Sequence, residues 1–475
     1  MTQLHDLTAL EQAGAIRNGE VSPVELVDHY LARIDRLSTT LGAFVTVTAD
    51  AARAQAKEAE QVVTGARDTD ELPPLHGVPT AIKDLNLTAG VRTTLGSRLY
   101  ADFVPPLDDH VVALLRQAGT ISLGKTNTPE FGLPCYTENA VAPPARTPWD
   151  LELSAGGSSG GAAAAVAAGL VPFAQGSDGG GSVRIPCSAC GLFGIKVSRG
   201  RVSNGPLGGD VTGLAWNGPL ARTVRDAAAM LDAMAVPMPG DPHWAPPLPP
   251  GETFRSHADR DPGRLRIGRF VDPVIAGADV HEECRRAWED ASALLAELGH
   301  EVADVAPPFG REVVPMFETV WAVATHGVPV DPARADELLP LTRWLRERGA
   351  AVTGPQYATA LGTLQMLSRQ GITATLEYDV ILTPTLAQPP RPVGWFTDGT
   401  APAEDFERQK CFTPYTAAYN MTGQPAVNVP LHWTECGLPI GVMLVGRPAG
   451  EATLISLSAQ LEAARPWAHR HPDLW

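Results

Sequence analysis

The sequence predicts an α/β fold in which helices cover both faces of a central, twisted, mixed sheet. Between residues 108 and 209, apolar helical runs alternate with short strand-like runs, a rhythm typical of β-α units on a largely buried sheet. Strand-like runs of the same character return at 264–271 and 378–385, and no internal repeat is evident. We therefore expect a single domain over residues 1–475. Its expected parts are a helical N-terminal part (1–65), a core (70–235), a variable region (236–378), and C-terminal strands with a helix that return to the core (379–475).

The N-terminal part contains two predicted helices. Ser22 and Glu25 form an S-x-x-E capping box with Pro23 at the first helical position, which predicts a helix over VELVDHYLARIDRLS. A strand-like piece, GAFVTV, separates it from a second helix over TADAARAQAKEAEQVV.

Helices and strands of the core and the later regions are predicted from the same kinds of pattern. Helices are predicted over DDHVVALLRQAG, GGAAAAVAAG and 223–235, and strands over ISLGKT and LVPFAQ. The proline-rich stretch 236–251 cannot hold a helix or a central strand, so we interpret it as a surface excursion. Residues 306–378 are mostly helical in pattern, and 424–446 reads as paired strands closed by a helix over 452–464.

Composition excludes several classes of partner. The formal charge of -16 should repel nucleic acid and anionic membrane surfaces, so we expect neither as a partner. The first residues lack a signal-peptide pattern and no run approaches the roughly 18 apolar residues that span a bilayer, which favours a cytoplasmic protein. Six cysteines without framework spacing suit a reducing compartment, and we interpret Cys187 and Cys190 as small buried side chains. No metal-binding or phosphate-loop motif is present, so we expect no metal and no cofactor; a homodimer stays open.

A glycine-rich loop, Gly176-Ser-Asp-Gly-Gly-Gly-Ser182, is the most unusual stretch of the chain. Glycine lets backbone N–H groups approach a ligand unshielded, so Gly179, Gly180, Gly181 and Ser182 can point donors at one spot, as an oxyanion hole requires. Ser182 would then be a nucleophile. The alternative is an ordinary glycine turn between a strand and a helix.

A serine nucleophile needs a base. GSSGG formally matches the G-x-S-x-G elbow, but none of the twelve histidines lies in a partner motif, and His432 and His326 are left open as bases. Lys83, alone in the apolar run GVPTAIKDL, is the better candidate because burial lowers a lysine pKa from about 10.4 toward neutrality. The alternative is a surface lysine paired with Asp84.

Together these stretches resemble the amidase signature family. The motifs that carry the resemblance are GVPTAIKDL, GKTNTPEFG, GGSSGG, GSDGGGSVRIP, CGLFGIK, YDVILTPT, NMTGQPAVNVP and GLPIGVMLVG, and they cover most of residues 70–235 and 379–467. The resemblance implies the amidase signature fold and a catalytic triad of Lys83, Ser158 and Ser182, with a cis peptide bond at Ser158. Asp178 and Arg184 look like supports that hold the glycine loop, with an ordinary ion pair elsewhere as the alternative, and we expect Ser159 to hydrogen-bond within the same network.

The implied activity is hydrolysis of an amide bond, extending to esters, anilides or carbamates, in a small uncharged substrate through an acyl-enzyme. Family members often carry a larger residue where Gly179 stands, so we expect a roomier loop here. Region 236–378 is expected to define the substrate, with aromatic and methionine residues of this and the next region lining the pocket or the core: Phe317, Trp321, Trp344, Met366 and Trp395.

Two other functions remain. A glutamine-hydrolysing amidotransferase subunit usually has Gln where this chain has Ile185, which argues against it. A non-catalytic binding protein on the same fold would not need Lys83, Ser158 and Ser182 together.

Overall fold

The strands of the computed structural model, which describes residues 3–66, 68–208, 210–275 and 277–475, form a large and a small sheet. The strands are β1 Phe44–Val47, β2 Pro79–Lys83, β3 Ile121–Thr126, β4 Phe173–Asp178, β5 Phe193–Lys196, β6 Trp216–Ala221, β7 Arg266–Arg269, β8 Glu301–Asp304, β9 Val380–Pro384, β10 Ala426–Trp433 and β11 Pro439–Gly446.

The helices connect and cover these strands. They are α1 Ala9–Arg17, α2 Pro23–Leu41, α3 Ala49–Gly65, α4 His110–Gln117, α5 Gly160–Ala167, α6 Arg184–Cys190, α7 Val224–Met234, α8 Phe254–His257, α9 Glu282–Glu297, α10 Val313–His326, α11 Pro340–Ala350, α12 Gly354–Ala374, α13 Pro402–Phe412, α14 Ala418–Thr422 and α15 Glu451–Ala464. In the described ranges, no helix is both long and apolar enough to cross a membrane.

The large sheet is mixed, as predicted. It has eight strands in the order β4-β6-β5-β10-β11-β9-β7-β8. The first strands pair antiparallel, whereas β7 pairs parallel with both β8 and β9. Buried side chains of α7, α9 and α15 form one core cluster with the strands, and those of α2, α5 and α6 form another. The predicted α/β architecture with helices on both sides of the sheet is therefore confirmed.

The small sheet is a feature that the sequence did not predict. It has three strands in the order β1-β3-β2, with β2 parallel and β1 antiparallel to β3. Strand β2 approaches β4 of the large sheet, but the backbone N–H of Lys83 donates to the side-chain Oε1 of Gln175 at 2.9 Å. This contact is made by a side chain, and the strand that carries Lys83 belongs to the separate three-stranded sheet.

Most predicted local elements are confirmed. Ser22 caps α2 through the predicted box with Glu25, and α2 continues to Leu41 before a left-handed Gly42 ends it. Thr223 caps α7 as expected. The proline-rich stretch 236–251 contains no helix or strand. Region 306–378 contains the helices α10, α11 and α12.

Candidate active site

Lys83 ends strand β2 with its side chain wholly buried, at 0% exposure. Its Nζ lies 2.7 Å from Ser158 Oγ and 3.0 Å from Ser177 Oγ. Burial lowers the pKa of Lys83 from 10.5 to about 7, although the negative charge of Asp178 opposes the shift. A pKa near 7 leaves a sizeable unprotonated fraction of this lysine at neutral pH. Because the side chain is buried and bonded to Ser158, the alternative of a surface lysine paired with Asp84 is wrong.

Ser158 lies in the loop that leads into α5 and is 2% exposed. The Gly157–Ser158 peptide bond is cis, as the resemblance implies. Gly157 fits against the backbone of Tyr136 so closely that a Cβ would lie 2.7 Å from it, so only glycine is accommodated. The loop thus presents the Ser158 hydroxyl to Lys83.

Ser182 stands at the start of the turn into α6 and lines a cleft. Its carbonyl accepts a hydrogen bond from the N–H of Ser159 at 3.2 Å, which joins the two serine loops. Among the described residues, the Ser182 hydroxyl has no hydrogen-bond partner, whereas Ser158 is bonded to Lys83. The structure therefore joins Lys83 and Ser158 directly and places the Ser182 hydroxyl free at the cleft.

Asp178 and Arg184 form a buried ion pair that holds the glycine loop. Arg184 donates to both carboxylate oxygens, with Nη2–Oδ1 at 2.8 Å and Nε–Oδ2 at 2.9 Å, and both side chains are fully buried. Burial alone would raise the pKa of Asp178. The positive charge and hydrogen bonds of Arg184, together with a hydrogen bond from Asn420, hold this pKa well below its ordinary value. The carboxylate therefore stays ionised.

The backbone donors of the loop are divided between two tasks. The N–H of Gly181 donates to Asp178 Oδ1 at 2.8 Å, so it is already satisfied within the loop. The N–H groups of Gly179, Gly180 and Ser182 have no such partner in the described ranges. Four N–H donors were expected to point at the oxyanion; three of them, those of Gly179, Gly180 and Ser182, are available for it. Ser159 donates its hydroxyl to Ser177 O at 3.2 Å and so belongs to the same network.

The cleft beside Ser182 encloses about 850 Å³, including its solvent-open part. Most lining side chains are apolar; the lining residues from α10 and the C-terminal helices include Phe317, Trp321, Phe406 and Met421. A Cβ on Gly179 would lie 3.2 Å from Ala215 Cβ and 3.5 Å from the ring of Trp321, so a larger residue there would press against both side chains.

Three of the five candidate pocket residues do not line this cleft. Trp344 packs on Phe406, with ring centroids 5.7 Å apart. Trp395 packs on Phe396 at 4.8 Å, and Met366 is 50% exposed. Spacing along a helix does not reveal which face meets a cleft that several helices build together.

The two histidines left open as bases also lie elsewhere. His432 lies between Glu283 and Asp290, at 3.0 Å and 3.2 Å. His326 is the last residue of α10, and neither histidine is among the described residues that line the cleft. Cys187 and Cys190 are buried and free, as expected. The described residues hold no cluster of three or more His, Cys, Asp or Glu side chains suited to a metal ion.

Sequence reasoning missed Asn420 of α14. Its Nδ2 donates to the backbone O of Asp178 at 2.8 Å, and its Oδ1 accepts from Arg184 Nη2 at 2.8 Å. The residue begins the motif NMTGQP, which was a usable signal, but nothing local to the motif assigns it to the glycine loop. Thr416 also binds this loop, donating its hydroxyl to Gly180 O at 2.5 Å.

Comparison with known proteins agrees with this architecture. The Amidase family model matches residues 25–455. An acylamidase of Rhodococcus erythropolis is 34% identical over 484 residues, covering 99% of this chain and 98% of the relative. A glutamyl-tRNA(Gln) amidotransferase subunit from Roseiflexus is 34% identical over 504 residues, covering 100% and 99%. The structure of a 6-aminohexanoate cyclic dimer hydrolase complexed with substrate has a TM-score of 0.90 at 32% identity, covering 99% of this chain and 100% of the other.

The fold and these matches define the class of protein as hydrolases that act on amide C–N bonds. The chain belongs to the Amidase family, the amidase signature enzymes, so the family resemblance read from the motifs is confirmed.

Proposed function

We propose that this amidase uses Lys83, Ser158 and Ser182 as a catalytic triad for acyl transfer. The observation that carries the proposal is the 2.7 Å contact between Lys83 Nζ and Ser158 Oγ, buried beside the cleft that Ser182 lines. With a pKa lowered to about 7, part of the Lys83 population is unprotonated near neutral pH and has the free lone pair that a general base needs.

The first half-reaction forms an acyl-enzyme. Ser158 passes its proton to the Lys83 lone pair and takes the Ser182 proton, while Ser182 Oγ forms a bond to the amide carbonyl carbon. The carbonyl electron pair moves to oxygen, where the N–H groups of Gly179, Gly180 and Ser182 stabilise it. When the C–N bond breaks, the proton returns through Ser158 to the leaving amine.

The second half-reaction regenerates the enzyme. Water loses a proton to the same relay as its oxygen attacks the acyl carbon, and the bond to Ser182 Oγ breaks. The carboxylic acid leaves and Ser182 recovers its proton. Asp178 and Arg184 act as positioning residues, because they hold the loop that carries the donors and do not reach the cleft.

The proposed substrate is a small uncharged amide, with anilides, esters and carbamates as further substrates. A mostly apolar cleft favours groups that lose little hydration on entry. An acylamidase and a cyclic-dimer hydrolase among the similar proteins support substrates of this kind.

Glutamine hydrolysis for an amidotransferase is the competing function. A relative of that kind is as similar as the acylamidase, so overall identity does not separate the two. The apolar side chain of Ile185 lines the cleft, where glutamine would bring an ammonium and a carboxylate to be desolvated. We therefore favour simple amides over glutamine.

The experiment is a hydrolysis panel of amides, anilides, esters, carbamates and glutamine on wild type and Ser182→Ala. We expect wild-type turnover of neutral amides, loss of roughly a thousandfold or more in Ser182→Ala, and no release of ammonia from glutamine. A serine-reactive phosphonate should label wild type at Ser182 and leave Ser182→Ala unlabelled. Full activity in Ser182→Ala, or labelling of neither protein, would refute the triad.

Two wider expectations also remain proposals, a cytoplasmic location and a homodimer. The six cysteines are unpaired thiols in the described structure, which suits a reducing compartment. Cell fractionation tests the first and sedimentation equilibrium the second.

A further inference from the structure

The cleft beside Ser182 has one charged feature in an otherwise mostly apolar wall. Glu318 of α10 and Lys410 of α13 are its charged lining residues in the described ranges. Lys410 Nζ lies 2.5 Å from Glu318 Oε1, and the two side chains are only 17% and 16% exposed. A largely dehydrated ion pair in a substrate cleft needs a reason beyond stability, because such pairs contribute little net folding energy.

The other polar groups of the wall are occupied by the protein itself. Gln409 accepts from the N–H of Cys135 at 3.1 Å and donates to Asp405 at 2.8 Å. Thr413 donates its hydroxyl to the carbonyl of Gln409 at 3.0 Å. Neither side chain is therefore the first choice to recognise a polar group on a substrate.

Lys410 has a donor to spare. Its ammonium carries three N–H groups, and its partners in the described structure are two carboxylates, Glu318 and Glu407, the latter at 2.6 Å. Burial alone would lower the pKa of Lys410, but the hydrogen bonds of the two carboxylates raise it, so the side chain is charged. A third N–H is left for a group in the cleft.

The charges around this point cancel. Glu318 also accepts from Arg348 at 3.2 Å, so two cations, Lys410 and Arg348, face two carboxylates, Glu318 and Glu407. A substrate carboxylate would enter beside existing carboxylates, and a substrate ammonium would enter beside Lys410. A neutral acceptor, such as a carbonyl oxygen, can accept a hydrogen bond from the third N–H of Lys410 without adding charge to a largely buried site.

We propose that Lys410, held by Glu318, is a specificity determinant that receives an uncharged carbonyl at the far end of the acyl group. The preferred substrates are then amides whose acyl chain has an apolar spacer followed by a second neutral carbonyl. The acyl group is the part concerned because it stays bonded to Ser182 through both half-reactions, in the cleft that Ser182 and Lys410 share. This inference rests on the proposed acyl-transfer function.

The test compares para-nitroanilides that differ only at the end of the acyl chain. The ends are methyl, acetamido, carboxylate and ammonium, on spacers from butanoyl to octanoyl, and kcat/KM is measured for each. At the best spacer, we expect the acetamido end to exceed the methyl end by about tenfold, as a hydrogen bond to a charged donor implies. The carboxylate and ammonium ends should fall below the acetamido end.

Variants then assign the preference to Lys410. Lys410→Met should bring the acetamido-to-methyl ratio to within about twofold. Arg408→Met removes a cation from the same helix, outside the lining of the cleft, and should keep the wild-type ratio. If Lys410→Met does not fold, Glu318→Gln replaces it, because it removes the carboxylate that holds Lys410 and should also lower the acetamido-to-methyl ratio.

Each outcome has one meaning. A ratio that survives Lys410→Met, equal rates for all four ends, or a preference for a charged end overturns the role of Lys410. If no anilide is hydrolysed in a Ser182-dependent manner, the proposed function itself fails, and that failure is distinct from equal rates.

Discussion

At the scale of single residues, burial alone does not identify the base. Lys83, Lys125 and Lys196 are all fully buried, and burial lowers their pKa values to about 7, 8 and 7. Lys125 donates to Thr93 Oγ1 at 2.9 Å, and Lys196 donates to the carbonyls of Val197 and Gln424 at 2.8 Å and 2.6 Å. Of the three, Lys83 alone contacts Ser158, whose neighbour Ser159 donates its N–H to the carbonyl of Ser182, so geometry makes the distinction.

The pH dependence of hydrolysis follows from Lys83. The proposed base works when it is unprotonated, so kcat/KM should rise as pH increases through about 7, the pKa of Lys83, and then level off. Initial rates on a neutral anilide across mildly acidic to mildly alkaline buffers measure the midpoint.

Two variants give this profile its controls. Lys83→Met should lose roughly 100- to 10,000-fold in kcat. Lys196→Met removes a buried lysine of similar pKa and should keep the wild-type midpoint. A bell-shaped profile in wild type that is retained in Lys83→Met would contradict the lysine base and point to a histidine base.

At the scale of elements, the loop between β4 and α6 is held by α14 from far along the chain. Asn420 donates to the carbonyls of Asp178 and Leu214 at 2.8 Å and 3.0 Å, and it is fully buried. Thr416, just before α14, binds Gly180. The shape of the loop that carries the proposed oxyanion donors thus depends on residues 416–420, which bind it from more than 200 positions along the chain.

Asn420→Ala should weaken both the fold and the reaction. It leaves two buried carbonyls without their donor, which should lower the free energy of unfolding by about 2–4 kcal/mol. We also expect kcat to fall while KM changes little, because the oxyanion donors act in the transition state. Urea unfolding and initial rates measure the two effects.

Asn428→Ala is the matched control. Asn428 is a buried asparagine of β10 that bonds Leu192 O at 2.8 Å and Thr385 Oγ1 at 2.7 Å, away from the loop. It should lose comparable stability with kcat retained. Equal kcat losses in both variants would mean that Asn420 acts only through stability.

At the scale of the whole molecule, the N-terminal helices are attached to the core by buried charged groups. Asp226 of α7 accepts from the N–H groups of Ala9 and Leu10 at 2.9 Å and 3.1 Å, which satisfies the first turn of α1. Arg33 of α2 donates to the carbonyls of Ala168 and Gly169 at 2.8 Å each, just beyond the end of α5. Because α5 follows Ser158, the N-terminal part braces the element that begins at the proposed site.

Asp226→Ala should release α1 from this attachment. The loss of a buried cap should lower the free energy of unfolding by about 2 kcal/mol and speed hydrogen exchange in α1. Asp232→Ala, on the same helix, removes the acceptor for Phe254 N and Arg255 N and should speed exchange in α8 instead. Exchange in α1 that is unchanged in Asp226→Ala would contradict the attachment.

The local elements were predictable because their causes are local. The Ser22–Glu25 capping box and Pro23 act within one turn of α2. The strands β3, β4 and β9 are apolar runs, so their own composition predicts that they are buried. Ser182 and Lys83 stood out for the same reason, as polar residues within a glycine-rich and an apolar stretch, whereas the family resemblance assigned Ser158.

Other features depend on packing over long separations. Lys83 and Ser158 are 75 positions apart, and Asn420 and Asp178 are 242 apart. Strands β2 and β4 meet through side-chain hydrogen bonds of Gln175 and Thr80, and the choice of Phe317 and Trp321 over Trp344 as cleft residues rests on which helix faces meet.

The sequence by itself determined the fold class, the family and the three residues proposed for catalysis. Composition, helix capping and ordered motifs can all be recognised in short stretches of sequence without knowledge of the packing. Only the tertiary structure decided that burial lowers the pKa of Lys83 to about 7, that Gly181 is already bonded to Asp178, and that Lys410 lines the cleft. Burial, contacts and local charge balance depend on several segments that pack together in the fold, so no single stretch of sequence predicts them.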